Sequence, residues 1–443
     1  MLSAKQLLNG CLIPAFAFSC LMLAGCENTP FSSDVTTEPV EHLNSASVSE
    51  DFSSSSQDVT PGTTTTPEAS PTPEATLTPE ATPTPEATPT PEASPTPPPA
   101  LTAEKVEATE RNYDFTLGFA GDINFADDYI PMGYLSALGS EDISDGIDQE
   151  YIDIMNGMDL MWINNEFTYS DRGEPLPGKA FTFRSSPSHV SYLKDLGIDI
   201  VGLANNHSFD YGEESFLDTM DTLEAAGIPY VGAGHDLEEA AAPVYLETNG
   251  FTIAYVAASC AEQYIYTPEA TETSPGILLC VDDTRILESI RTAAENADYV
   301  IVLPHWGTEH STWLQEKQTE SAHAYIDAGA DAVIGAHPHI LQGIEYYNGK
   351  PILYSLGNFW FDNYDIDTIV AELHFSGTTP IEENSLAGAD VELKVYPGTQ
   401  TGTHTYIVGN EGWEDRILRY LESISINITI DDDWIVHETE DGV

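Results

Sequence analysis

Residues able to do chemistry cluster where apolar runs stop. "GFAGDIN" ends in Asp122 and Asn124, "DLMWINNE" in Asn164 and Glu166, and "IDIVGLANNH" in Asn205, Asn206 and His207. Further on, "DYVIVLPHWG" carries His305 and "DAVIGAHPH" carries His337 and His339. Three imidazoles (His305, His337, His339), two carboxylates (Asp122, Glu166) and the Asn206 amide oxygen make a borderline-to-hard donor set suited to Mn, Fe or Zn. A site for magnesium alone would use fewer histidines. An isolated "HPH" reads more readily as a structural pair bonded to backbone; here it shares its strand-end position with the other candidate donors.

The elements that must position these residues follow from the same runs. Together with "FTLGFAGD", "TIAYVAAS" and "PILYSLGNF", they are short, rich in Val, Ile, Leu and aromatics, and predict buried strands. Between several of them lie helix-like segments, "HVSYLKDLG", "EESFLDTMDTLEAAG", "DDTRILESIRTAAENA" and "LQEKQTESAHAYIDAGA"; Gly197, Gly227 and Gly329 close three of these as helix C-termini. Alternation of strand and helix predicts an α/β domain with largely parallel pairing. In a parallel sheet the carboxyl ends of the strands share one edge, where loops diverge and ligands bind. Donors far apart in sequence can therefore converge there. The "HPH" segment is expected to be extended, with Pro338 fixing the turn, so that one ring faces each metal or one supports a ligand from behind.

"GFAGDINF", "DLMWINNEF", "FTFRSSP", "GLANNHSFDYG", "DTLEAAGIPYVGAG", "PHWGTEH" and "GAHPHILQGIEYYNGKPILYSLGNF" together resemble, in this order, the CapA family of poly-γ-glutamate capsule proteins, within the calcineurin-like metallophosphoesterase superfamily. The likeness runs from about Tyr113 to Asp362. It implies a two-sheet sandwich flanked by helices, with one or two divalent ions held on loops at strand ends. Asp122 matches the first metal carboxylate, Glu166 a bridging carboxylate, Asn206 the amide ligand, and His305, His337 and His339 the later imidazoles. His207 matches the histidine that contacts the scissile group and protonates the leaving oxygen. Such a centre polarises a phosphoryl oxygen and lowers the pKa of a shared water. Arg184 could steady an anionic substrate through its forked donors.

Two positions depart from the superfamily pattern. Its first motif is Asp-x-His, whereas this chain has Asp122-Ile123-Asn124, so one imidazole is missing; either that metal binds more weakly or Asn124 substitutes through its amide oxygen. Glu166 replaces the usual Asp and sets the carboxylate out by one methylene. Plainer readings stand beside these roles. His207 could cap the following helix, with Asp210 or backbone orienting its ring. Asn164 and Asn205 read as loop-bracing amides, Asn358 as a support behind the ligands, and Trp306 as packing. His235, His310 and His323 lie off the strand-end pattern or on a helix. The strand-like "DTIVAELHF" and "ADVELKVYP" and the helix-like "EDRILRYLESI" are expected to complete the sandwich.

The ends of the chain speak to location. Residues 1–25 hold one Lys, an apolar stretch too short for a comfortable span, and Leu23-Ala24-Gly25-Cys26, which resembles a bacterial lipobox. Cleavage before Cys26, its lipidation and anchoring to the outer face of the cell membrane are the expectation. Residues 26–110 are a disordered Ser/Thr/Pro/Glu-rich stalk with Pro-rich repeats that cannot form a core, and residues 111–443 form the folded domain. With 14 Lys and Arg against 73 Asp and Glu, the net charge of -59 excludes nucleic acid as a natural partner. Cys260 and Cys280 read as buried free thiols, although export permits a disulfide.

Three functions follow: a role in poly-γ-glutamate capsule synthesis, export or anchoring, alongside capsule synthetase subunits; a metal-dependent phosphoesterase acting on another cell-envelope substrate; or a non-catalytic envelope-binding lipoprotein.

Overall fold

The computed structural model describes residues 109–261, 266–386, 388–408 and 412–439. The expected signal peptide, the lipidated Cys26 and all but the last two residues of the expected stalk lie outside these. The first sheet runs in spatial order Ile428–Ile430, Ile435–Glu438, Asp390–Thr401, Ile366–Pro380, Glu110–Ile123, Leu160–Asn165, Ile200–Gly202, Tyr230–Val231. The second runs Ile344–Tyr347, Lys350–Leu353, Ala332–Ile334, Tyr299–His305, Phe251–Ser259, Val244–Thr248.

Each sheet has a parallel heart. Glu110–Ile123, Leu160–Asn165, Ile200–Gly202 and Tyr230–Val231 pair in parallel in the first, and Phe251–Ser259, Tyr299–His305, Ala332–Ile334 and Lys350–Leu353 in the second. The C-terminal strands Ile366–Pro380 and Asp390–Thr401 extend the first sheet antiparallel, as the sequence suggested they would complete it.

Period-two alternation explains why the second sheet's strands read as unbroken apolar runs. Ile253, Tyr255, Ala257, Ile301 and Leu303 join the core shared with the first sheet. Their neighbours Ala254, Val256, Val300 and Val302 face Ile286, Ile290, Ala322, Tyr325 and Ile326 of helices Thr284–Ala294 and Glu316–Ala328. The two sheets meet through rings: Tyr113 and Phe115 lie 5.1 and 5.7 Å from Phe251, and Phe375 lies edge-on to Tyr299 at 4.8 Å. Burying each such side chain contributes about 1.5–3 kcal/mol. The result is a two-sheet sandwich flanked by helices, the architecture the resemblance implies. Glu213–Ala226 forms a helix with Glu213 and Glu214 in its first turn, where acids suit the dipole, and stops at Gly227 with φ 73°.

One backbone irregularity aims the first acid. Pairing between Glu110–Ile123 and Leu160–Asn165 slips between Ala120 and Asp122, leaving Gly121 unpaired. A Cβ on Gly121 would lie 1.8 Å from the Gly357 carbonyl oxygen, so only glycine fits. The Asp122 N–H donates to that same carbonyl at 3.0 Å.

Candidate metal centre

The strand ends do converge. Asp122, Glu166, Asn206, His207, His305, His337 and His339 are all buried. The Asn164 amide ties the acids together: its Nδ2 donates to Asp122 Oδ1 at 2.7 Å and to Glu166 Oε2 at 3.2 Å, and lies 3.4 Å from His305 Nδ1. Asn205 braces it in turn, donating to Asn164 Oδ1 at 3.2 Å and to the Asn165 carbonyl at 2.9 Å. Parallel register supplies the rest, setting His305 level with Ser259 and bridging it to Ala336, just before His337.

Two groups of donors form, and they share one residue. Ligand atoms of Asp122, Glu166 and His305 lie within 4.8 Å of one another, as do those of Glu166, His337 and His339. Glu166 Oε1 is 3.6 Å from His305 Nε2 and 3.9 Å from His339 Nε2. Asn206 Oδ1 lies 2.8 Å from His305 Nε2, and Asp122 Oδ2 lies 3.2 Å from His339 Nδ1. Among the described residues eight buried side-chain polar atoms have no hydrogen-bond partner, and five belong here: Asp122 Oδ2, Asn124 Nδ2, Glu166 Oε1, Asn206 Nδ2 and His337 Nδ1. Orphaned polar atoms are costly in an interior, and a cation among them satisfies the carboxylate and imidazole lone pairs together. The residues therefore fit divalent ions.

Electrostatics agree. Burial, then the charge of Asp122, pushes the Glu166 carboxyl well above its ordinary range. Burial, then neighbouring imidazoles, holds His305 and His337 well below theirs, so both rings are neutral and keep a lone pair for a metal. Burial opposes protonation of His339, but contacts with Asp122 and Asn358 outweigh it and move this ring upward. A divalent charge would reverse the crowding of Asp122 and Glu166.

His207 points in from beside the donors, with Nε2 4.0 Å from Glu166 Oε1. Its Nδ1 lies 2.6 Å from Asp210 Oδ2, so Asp210 is the group that orients the ring. The same carboxylate accepts from the Phe183 N–H at 2.7 Å and from Lys179 Nζ at 2.6 Å. Burial lowers the His207 pKa, with Asp210 opposing. Lys179 also donates to the Asn206 carbonyl. Sequence reasoning passed over Lys179; its one signal is rarity, being one of only 14 Lys and Arg.

Other candidates take quieter places. Asn358 accepts from His339 Nδ1 at 2.7 Å and is itself held by Asp362 at 3.0 Å. The Asn124 amide oxygen, expected to stand in for the missing imidazole, instead accepts from the Ala126 N–H at 2.8 Å. Arg184 is not brought to the donors: its guanidinium donates to the Arg172 and Gly173 carbonyls at 3.0 Å and lies over the Tyr211 ring. Trp306 is fully buried and donates to the Tyr354 carbonyl. His235 pairs with Glu239 and His323 with Glu345, away from the donors, whereas the His310 ring lies 6.1 Å from that of His339. The expected extended "HPH" is corrected: His337 and His339 have φ of 100° and 60°, a left-handed backbone that costs about 1–3 kcal/mol per residue and turns both rings inward.

Residues 116–363, more than half of the chain, match the family described as bacterial capsule synthesis protein PGA_cap. The chain belongs to that family. The chain is 33% identical over 242 residues to the PGA biosynthesis protein CapA of Bacillus subtilis, covering 54% of this chain and 63% of that one. It is 38% identical over 177 residues to the capsule biosynthesis protein CapA of Bacillus anthracis, covering 39% and 42%. The chain thus spans less than two thirds of either relative. Among solved structures, a phosphatase from Mycoplasma pneumoniae is similar at 12% identity and a TM-score of 0.39, over 66% of this chain and 96% of that one.

Proposed function

We propose that this PGA_cap protein is a lipoprotein anchored outside the cell membrane through Cys26, whose divalent-metal centre acts as a hydrolase on an anionic substrate in poly-γ-glutamate capsule synthesis, export or anchoring. The observation that carries the hydrolytic part is the sharing of Glu166 between two buried donor groups. Asp122, Glu166, His305 and Asn206 would hold one ion, and Glu166, His337 and His339 a second. Such ions, when bound, polarise an oxygen of the substrate and lower the pKa of water. His207 presents Nε2 to the same space, where it can hand a proton to the leaving oxygen while Asp210 keeps Nδ1 protonated. The capsule role rests on the family and on what its relatives are named for; export and anchoring rest on residues 1–26.

The net charge of -59 opposes a long polyanion, and this favours a small cell-envelope phosphoester as second reading. Metal content of the purified full chain, hydrolysis of an aryl phosphate with and without manganese, and release of fragments from poly-γ-glutamate test both. Bound metal with turnover lost in His305→Ala supports a hydrolase, and the substrate that turns over separates the readings. Metal without turnover on either leaves a binding role, and absence of metal removes the centre.

A further inference from the structure

Behind His305 lies a pair of thiols that the metal reading does not use. Ser259 bridges Leu279 in parallel register, with the Ser259 N–H on the Leu278 carbonyl and the Cys280 N–H on the Ser259 carbonyl, both at 2.9 Å. One step along each segment, Cys260 and Cys280 stand level and on the same side. Neighbouring strands lie about 4.8 Å apart. That falls inside the Cα separation of roughly 4.4–6.8 Å that a disulfide spans. The two thiols are close enough that each is the first influence on the other's pKa, lowering that of Cys260 and raising that of Cys280.

Their surroundings assign different parts to them. Cys280 is fully buried among Ile286, Trp306 and Tyr325, whereas Cys260 is partly exposed. Asp283 gathers Lys317 at 2.6 Å, Ser321 at 2.8 Å and Tyr325 at 2.9 Å beside the pair, and the partly exposed Cys260 is the thiol that an external disulfide can reach.

The geometry points to a redox-modification site in which Cys260 and Cys280 close into an intramolecular disulfide by exchange with a small external disulfide. The Cys260 thiolate attacks one sulfur of that disulfide, breaking its S–S bond and releasing one thiol, which takes up a proton. Cys280 then gives its proton to water and attacks the Cys260 sulfur, forming the internal bond and releasing the second thiol. Two protein thiols are oxidised and one external disulfide is reduced to two thiols, so no further electron acceptor is needed. The Cys260 and Ala261 N–H groups both donate to the His305 carbonyl, at 3.0 and 3.1 Å. Closure therefore fastens the turn on which that imidazole stands.

The test uses the full chain in native buffer, held with oxidised glutathione or with a phosphine reductant, then alkylated and digested at glutamate. Glu262, Glu269 and Glu272 lie between the two cysteines, so a disulfide alone would keep their peptides together. The expected result is a linked Cys260–Cys280 peptide pair lighter by two hydrogens, loss of alkylation at both positions after oxidation, and its return under reductant. Cys260→Ser and Cys280→Ser each abolish the linked pair. Full alkylation of both thiols after oxidation, or a Cys260–glutathione adduct that goes no further, overturns the assignment. The wild-type measurement stands by itself should either variant fail to fold.

Discussion

His207 Nδ1 and Asp210 Oδ2 lie 2.6 Å apart, three residues along one loop, and Lys179 and the Phe183 N–H fix the carboxylate from its other sides. This leaves Nε2 as the only ring nitrogen free to meet a substrate. In a hydrolase, His207→Ala is expected to lower turnover of an alkyl phosphoester by about 10²–10⁴-fold, and far less for an aryl ester whose leaving group needs no proton. Asp210 raises the His207 pKa against burial, so Asp210→Asn moves the pH at which the imidazolium is lost to lower values. Rate profiles over pH with both esters check this; equal losses on the two contradict a general acid.

Lys179 is the buried counter-charge of that loop. Its ammonium meets Asp210 Oδ1 at 2.6 Å with both side chains almost wholly out of water. Removing one partner of such a pair strands the other, which costs about 3–5 kcal/mol. Lys179→Met is therefore expected to lower the unfolding free energy by that amount, read as a lower urea midpoint, and Lys179→Met with Asp210→Leu to recover part of it. Urea unfolding of the wild type, Lys179→Met, Asp210→Leu and the double variant gives the coupling directly.

Strand ends were legible because a strand buried on both faces leaves a continuous apolar run, and the first polar residue after it marks the edge. Asp122, Glu166, Asn206 and His305 were found that way, and they meet. Periodicity alone could show strand and helix alternating but not that the strands divide between two sheets; the family likeness supplied that. An extended segment with Pro338 fixing its turn was the expectation, yet the left-handed backbone of His337 and His339 arises from tertiary convergence that no local pattern encodes. Lys179 escaped notice for a related reason: its partner lies 31 positions away, on a loop that only the fold brings alongside.

Glu166 stands in both donor groups, whereas His337 stands in one. Glu166→Gln keeps the volume and removes the charge, and is expected to strip the purified protein of both ions. His337→Ala is expected to leave about one ion per chain, held by Asp122, Glu166 and His305. Elemental analysis after dialysis distinguishes these; equal stoichiometry in the two variants contradicts a shared carboxylate.

With metal removed, Glu166 keeps its proton to a pH well above the ordinary 4.5, through burial and then the charge of Asp122. Between 4.5 and that raised value the native state binds more protons than the unfolded chain, so stability falls as pH rises. The contribution is fully present below 4.5 and lost above the folded pKa. A divalent ion replaces the proton as counter-charge. Thermal unfolding from about pH 5 to 8 is expected to show a falling midpoint in chelator that manganese abolishes. Glu166→Gln should flatten the chelated curve, and a chelated wild type that does not weaken with pH contradicts the crowding of the two acids.

Gly121 tests whether the backbone slip serves the metal or merely joins two strands. An alanine there would drive its Cβ to 1.8 Å from the Gly357 oxygen, and neither side can yield without breaking the Asp122 N–H bond to that carbonyl. Forced separation moves Asp122 away from Asn164 and His339, and moves Asn358, which pairs with Asp122 in register, away from the His339 ring it accepts from. Overpacking of this kind costs about 1–3 kcal/mol, which a large sandwich can absorb and still fold. Gly121→Ala is therefore expected to lower the unfolding midpoint modestly but to weaken metal binding strongly. Gly118→Ala supplies the comparison: the atoms nearest its Cβ would be in the flexible side chains of Met158 and Met161, not in backbone. If calorimetric titration with manganese finds both variants binding like the wild type, the slip has no part in aiming the carboxylate.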